Sequence, residues 1–265
     1  MTLHRRPNVP LESAVADVWR VGGGGWNGHV STLSSESDCN VYLVRAGGAD
    51  VLVDCGTLGG FDSIKRLLDQ LEASPTDLIV THSHWDHTEA AARWQHELPS
   101  LVTHLNSTAV AFLNRGDHRL VGYEINEPPH DFETFYVNHG VADREAFSIG
   151  ECLFTAHHLP GHTPDSTLYT VELSGRTIGI CGDIVFAPRA GLGPVLGQLC
   201  TLWLSNLDEY VDSLRRMAEL DLDVLLPGHG AALVGRTQVA AAVESTLELA
   251  DALAKDARLR ENVGV

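Results

Sequence analysis

The run Thr81-His82-Ser83-His84-Trp85-Asp86-His87 places three imidazoles and a carboxylate within six positions. Residues i and i+2 of an extended chain point to the same side, so His82 and His84 can grip one ion. A turn after them lets Asp86 and His87 reach a second ion beside the first. Neutral imidazole and carboxylate are the donors that zinc and other borderline divalent metals take.

Something must deliver this cluster and complete it. The apolar run Asp77-Leu78-Ile79-Val80 reads as a short buried strand that ends at the histidines. Three more apolar strands run into tight turns that carry a donor: Pro160-Gly161-His162-Thr163-Pro164, Gly182-Asp183 and Pro227-Gly228-His229-Gly230. Proline and glycine stiffen such turns, which suits a rigidly held ligand. A lone histidine after a strand is ordinarily a surface residue. Three such turns together with the dense 82–87 cluster argue for a shared site. Asp54-Cys55-Gly56 ends a further strand with a carboxylate, which can equally be a turn residue.

The remaining elements form an α/β pattern. Strands are expected over 14–21, 39–44, 50–53, 101–104, 146–149, 152–156, 166–172, 176–181 and 224–226, with helices over 61–71, 89–98, 107–114, 207–220 and 237–254. The stretch 116–138 lacks periodicity and reads as a pocket wall, a subunit contact or an ordinary surface loop. Gly22-Gly23-Gly24-Gly25-Trp26 reads either as a flap over a pocket or as a flexible surface loop. No Gly-Lys-Ser/Thr follows it, so it is not a phosphate loop.

Composition narrows the partners. Eighteen basic against 35 acidic residues leave a formal charge of −17, which argues against a broad grip on nucleic acid or anionic lipid. No apolar run reaches membrane-spanning length and no apolar segment follows the N-terminal Met1-Thr2-Leu3-His4-Arg5-Arg6. The five cysteines, Cys39, Cys55, Cys152, Cys181 and Cys200, form no C-x-x-C pair and read as reduced, mostly buried residues of a cytoplasmic protein.

In their order and spacing, the Asp54 turn, the 81–87 run and the His162, Asp183 and His229 turns resemble the metallo-β-lactamase-fold hydrolases. The resemblance implies one α/β domain over 1–265, a four-layer αβ/βα sandwich with the site at one edge of two sheets. It implies that His82, His84 and His162 bind one metal, that Asp86, His87 and His229 bind a second, and that Asp183 bridges them. Two divalent ions are then the cofactors, zinc first, with manganese or iron able to occupy the same donors. A water shared by the ions is the expected nucleophile, with Asp86 as the catalytic proton carrier and Asp54 orienting a ligand imidazole. The implied activity is hydrolysis of a small ester, thioester or lactone. A phosphodiesterase, a mononuclear iron enzyme of the persulfide dioxygenase type and a non-catalytic binding protein are the alternatives. The expected partner is a small-molecule substrate, not nucleic acid or membrane, and a homo-oligomer is compatible with the sequence.

The chain departs from the family pattern in places. Thr88-Glu89-Ala90 stands where glycines are common, and Thr163-Pro164-Asp165 ends on an aspartate where glycine is usual. Both read as replacements of flexible backbone. Phe186 stands where the lactonases of quorum signals place a tyrosine, and Gly182-Asp183-Ile184-Val185-Phe186 looks more like the glyoxalase II branch. Trp26, Phe186 and Trp203 are the candidate lining of the pocket.

Overall fold

The computed structural model describes residues 12–25, 30–115, 117, 119–122, 132–188, 193, 195–197, 199 and 204–256. Within them the chain forms a seven-stranded sheet, β1 (Glu12–Val15), β2 (Val18–Gly22), β3 (Val41–Ala46), β4 (Ala49–Val53), β5 (Pro75–Ile79), β6 (Val102–Asn106) and β7 (His139–Val141), in that spatial order. The second sheet has six strands: β8 (Ala146–Ile149), β9 (Cys152–His158), β10 (Thr167–Leu173), β11 (Arg176–Gly182), β12 (Val224–Pro227) and β13 (Leu233–Val234).

Strand alternation sorts the apolar residues into three cores. On β3, Val41 and Leu43 face one way and Tyr42 and Val44 the other; on β5, Leu78 opposes Ile79. The outer face of the first sheet packs on α1 (Phe61–Gln70), α3 (Ala91–Glu97) and α4 (Ser107–Leu113). Its inner face meets Phe154, Tyr169, Val171, Ile178 and Leu226 of the second sheet. The outer face of the second sheet, with Leu168, Cys181 and Leu225, packs on α5 (Leu207–Ala218) and α6 (Arg236–Lys255). Helix, sheet, sheet, helix: this is the four-layer αβ/βα sandwich expected from the sequence. Helix α5 shows the local logic. Asn206 caps it by accepting from the Asp208 and Glu209 amides, and Leu207, Tyr210, Val211, Leu214 and Met217 make its buried stripe.

Three expectations about elements are corrected. The strand expected over 14–21 is two strands, β1 and β2, hinged at Asp17, which takes the left-handed conformation with φ 65°. The helix expected over 89–98 begins later, as α3. A separate turn of helix, α2 (Trp85–Thr88), precedes it, because the Ala90 amide bonds the Gly56 carbonyl at 3.1 Å. Within 116–138, a 3-10 turn spans Arg119–Val121, while Phe132 and Phe135 pack on the helix-side core.

What matters for function is the direction of the strands. β4, β5 and β6 run parallel, as do β11 and β12, and β9 runs the same way as β11 because both pair antiparallel with β10. The turns after β4, β5, β9, β11 and β12 therefore open at one edge of the sandwich, where ligand residues gather on such folds. No described helix is long and apolar enough to cross a membrane.

Candidate metal centre

All seven candidate ligands converge at that edge. β5 ends at Ile79, the chain bends at Thr81, and the His82 and His84 rings then lie edge to face with centroids 4.7 Å apart. The turn after β9 brings His162 against both, at 4.9 and 4.6 Å. His84 Nδ1 and His162 Nε2 face each other at 3.0 Å. Two ligand nitrogens on a tetrahedral zinc lie about 3.3 Å apart, from bonds of about 2.0–2.1 Å. Donor atoms of His82, His84 and His162 all fall within 4.8 Å of one another.

The second cluster grows from α2, whose single turn carries both Asp86 and His87. His229 Nε2 lies 3.0 Å from Asp86 Oδ2, and His87 Nε2 lies 3.6 Å from the same oxygen. Asp183 stands between the clusters: its Oδ2 is 3.7 Å from His162 Nε2 and 3.5 Å from His229 Nε2, and its Oδ1 is 3.4 Å from His87 Nε2. Gly182 holds φ 51°, and a Cβ there would come within 2.5 Å of Thr81 Oγ1. Gly228 is tighter still, since a Cβ would sit 2.2 Å from Asp183 Oδ1.

The donor set fits a cation. His82 Nε2, His87 Nε2 and Asp183 Oδ1 are buried without a hydrogen-bond partner in the protein. Each such atom costs about 1–3 kcal/mol unless something satisfies it, and divalent cations among these donors would satisfy all three. Protonation follows the same division. Burial, then the neighbouring His87, His84 and His162, drives His82 well below the ordinary imidazole range. Burial and His162 bring His84 down to about 3. At His87 burial acts the same way, but Cys39, Asp86, Asp54 and Asp183 outweigh it and raise the pKa. His229 is likewise raised, by Asp183 and Asp86 against burial. Burial pushes the Asp86 and Asp183 carboxyls up, and the facing His87 and His229 more than reverse it, so both are lowered.

Asp54 accounts for the tautomers. With φ 55° it turns its carboxylate inward, where Oδ1 accepts from the Thr81 amide and Oδ2 from the Thr81 hydroxyl, each at 2.8 Å. Oδ2 also lies 2.8 Å from His87 Nδ1. A carboxylate only accepts, so His87 keeps a proton on Nδ1 and Nε2 is the nitrogen left to give a lone pair to an entering cation. Because the Thr81 hydroxyl is spent on Asp54, it accepts from His82 Nδ1 at 3.2 Å, which frees His82 Nε2 in the same way.

Several positioning groups were not singled out from the sequence. Asn40, buried beside β3, accepts from Arg20 Nη1 at 3.3 Å and donates to the Tyr42 hydroxyl at 3.2 Å. Its amide nitrogen donates to the Pro227 and Gly230 carbonyls at 2.9 Å, and its backbone N–H to the Gly228 carbonyl at 2.5 Å, fixing the His229 turn. Cys39 lies behind His87, and burial holds it as a thiol rather than a ligand thiolate. Glu89 and Asp165 do more than replace flexible backbone: Glu89 Oε2 accepts from the Leu58 amide at 2.9 Å, and Asp165 Oδ2 accepts from the Ser83 hydroxyl at 2.6 Å. His157 and His158 serve structure, with His158 Nε2 donating to the Pro164 carbonyl at 2.7 Å. Phe186 is buried with its ring 6.0 Å from His229, so it does border the site. Trp26 and Trp203 lie outside the described residues.

Comparisons with known proteins agree with this geometry. A "probable metallo-hydrolase" of Methanocaldococcus jannaschii is 31% identical over 198 residues, which cover 72% of this chain and 87% of that one. Another from Bacillus subtilis is 26% identical over 246 residues, covering 83% and 74%. Among solved structures, a metallo-beta-lactamase of Legionella gormanii superposes with a TM-score of 0.69 at 18% identity, covering 93% of this chain and 95% of that one. At that identity the likeness establishes the fold alone. A sequence profile of the metallo-beta-lactamase superfamily matches residues 35–229, a span that holds all seven converging side chains. The chain belongs to the metallo-beta-lactamase superfamily.

Proposed function

We propose that this metallo-hydrolase works with two divalent ions, zinc first among them, and cleaves a small ester, thioester or lactone. His82, His84 and His162 would hold one ion, Asp86, His87 and His229 the other, and Asp183 both. The observation that carries this reading is the place of Asp183 Oδ2, within 3.7 Å of His162 Nε2 and 3.5 Å of His229 Nε2. A shared ligand needs one carboxylate facing a nitrogen of each set. When bound, such a pair of ions polarises an acyl oxygen and makes a water acidic enough to lose its proton near neutral pH.

The chain's own residues do the rest. Asp86 is the candidate to take the proton of the attacking water and to pass it to the departing group. Its side chain keeps 16% exposure, where that of Asp183 keeps 9%, so substrate and water reach it more easily. Asp54 and Thr81 hold the ring tautomers that leave donor lone pairs inward. Phe186 offers an apolar wall beside His229, which suits an acyl chain better than a charged group. The net charge of −17 repels polyanions, which ranks the ester classes above a nucleic-acid phosphodiester. A complete second cluster favours the two-ion hydrolase over a mononuclear iron oxygenase.

The test is a panel of nitrophenyl esters, lactones, thioesters and bis-nitrophenyl phosphate, run on protein loaded with zinc, manganese or iron. Activity on the acyl substrates, with kcat lowered about 10²–10⁴-fold in Asp86→Asn, is the expected result. Turnover of the phosphodiester alone would sink the acyl assignment. One iron per chain with oxygen uptake would replace it by the oxygenase.

A further inference from the structure

The side chain of Asp165 has no part in the chemistry above, yet it is among the most enclosed carboxylates in the molecule. It is fully buried, its Oδ1 has no hydrogen-bond partner, and burial raises its pKa. Burying a carboxylate costs several kcal/mol unless strong bonds compensate. Thr163 in its own turn offsets part of that cost, and the larger offset comes from a residue 82 positions earlier, Ser83, whose hydroxyl donates to Oδ2 at 2.6 Å, the short range of a charge-assisted bond.

The location of that bond is informative. Ser83 lies between His82 and His84, whose rings lie 4.7 Å apart at the candidate centre, while its own hydroxyl is turned to Asp165. A bond on Ser83 therefore acts within the short run that carries the two imidazoles. Asp165 belongs to the turn that carries His162, and that turn is braced internally. The Thr163 amide donates to Ser166 Oγ at 3.1 Å, the Thr167 hydroxyl to the Asp165 carbonyl at 2.9 Å, and His158 to Pro164 as above. The Thr167 amide in turn donates to the Thr81 carbonyl at 2.9 Å. The Ser83–Asp165 bond thus links two stiff pieces, one from each sheet, and these are the pieces that bring His84 Nδ1 within 3.0 Å of His162 Nε2.

We propose that Asp165 is a positioning residue of the metal centre, setting through Ser83 the spacing between the His82–His84 pair and His162. The inference rests on the reading that these three histidines share an ion. A glycine, usual here in the proteins the chain resembles, leaves Ser83 without this anchor. An asparagine keeps an acceptor for the Ser83 hydroxyl, removes the charge and puts an NH₂ in place of the other oxygen.

The experiment uses the cobalt-substituted holoprotein, with affinity read by competition against a chromophoric chelator and geometry by the visible absorption of Co²⁺. Asp165→Gly and Ser83→Ala are each expected to weaken one of the two ions about 10–100-fold and to alter its absorption bands, as loss of an outer-shell partner does. The double variant should be no worse than Asp165→Gly within about 2-fold, since both remove one bond, and Asp165→Asn should stay within about 2-fold of the parent chain. Unchanged affinity and spectrum in Ser83→Ala would overturn the proposal, as would additive losses or an Asp165→Asn as damaged as Asp165→Gly. If Asp165→Gly does not fold, Ser83→Ala and Asp165→Asn decide the matter. A parent chain that takes up no cobalt refutes the two-ion reading. Normal uptake with unaffected variants refutes the brace alone.

Discussion

Replacing Asp54 by asparagine isolates the tautomer argument from everything else the residue does. Asparagine tolerates the left-handed φ of 55°, whereas alanine there would add about 1–2 kcal/mol of backbone strain. The carboxylate accepts three bonds, from the Thr81 amide, the Thr81 hydroxyl and His87 Nδ1. Asparagine can satisfy the same neighbours in one orientation: its oxygen accepts from the Thr81 amide, and its NH₂ donates to Thr81 Oγ1 and to His87 Nδ1. That orientation moves the His87 proton to Nε2. It also frees the Thr81 hydroxyl to donate to His82 Nδ1, which moves that proton to Nε2 as well. Both rings then present N–H where a cation needs a lone pair. The metal-free fold keeps its hydrogen bonds and should keep its Tm within a few degrees. Affinity should fall about 10–100-fold for each ion, or roughly 1.4–2.8 kcal/mol per ion. Chelator competition gives the affinities, and thermal unfolding with and without added zinc separates them from stability. An Asp54→Asn protein that binds both ions as tightly as the parent would refute the reasoning, and Asp54 would then be a turn residue only.

Two further perturbations probe the other half of the site. Gly228→Ala places a methyl 2.2 Å from Asp183 Oδ1 and 2.8 Å from His87 Cε1, so Asp183 must leave its place between the clusters. Metal analysis should find binding of both ions weakened and kcat/KM reduced at least about 10²-fold, and full loading with normal turnover would count against a shared Asp183. Acidification should also release metal. His87 and His229 have raised pKa values in the metal-free protein, so they hold protons that an entering ion must expel. A raised imidazole pKa makes proton competition stronger as pH falls, hence affinity drops toward acid and uptake near neutrality releases protons. Calorimetry in buffers of different ionisation enthalpy measures that release, and an affinity independent of pH would exclude it.

The parts of this architecture that sequence reveals are those whose signal is local. The seven donors stand out because they follow four apolar strands, four of them in one dense run and three in tight turns, and strands of one direction then bring these segments to one edge. Helices α1 and α5 were legible from stripes such as Ile64, Leu67 and Leu68. Where a strand is too short to repeat its alternation, the signal fails: β7 has three residues and β13 two, so neither alternation nor flanking turns distinguish them from loop. The division of β1 from β2 turns on one residue, Asp17, whose left-handed φ no pattern announces. The start of α3 depends on a bond between Ala90 and Gly56, distant in sequence and adjacent only once the sheet has formed.

The same distinction explains why the ligands were easier to find than the residues that hold them. A ligand must have a particular chemistry, so its type identifies it. A support needs only to be in reach of its target: Asn40 bonds carbonyls 187 and 190 positions away, and Asp165 a hydroxyl 82 positions away. Each joins a turn of the first sheet to a turn of the second. The site is divided along that boundary, with His82, His84, Asp86 and His87 on one side and His162, Asp183 and His229 on the other. Its geometry is therefore a property of how two sheets are fastened at their common edge, more than of either motif. Substitutions among these cross-sheet bonds should alter metal affinity while leaving every ligand in the sequence intact.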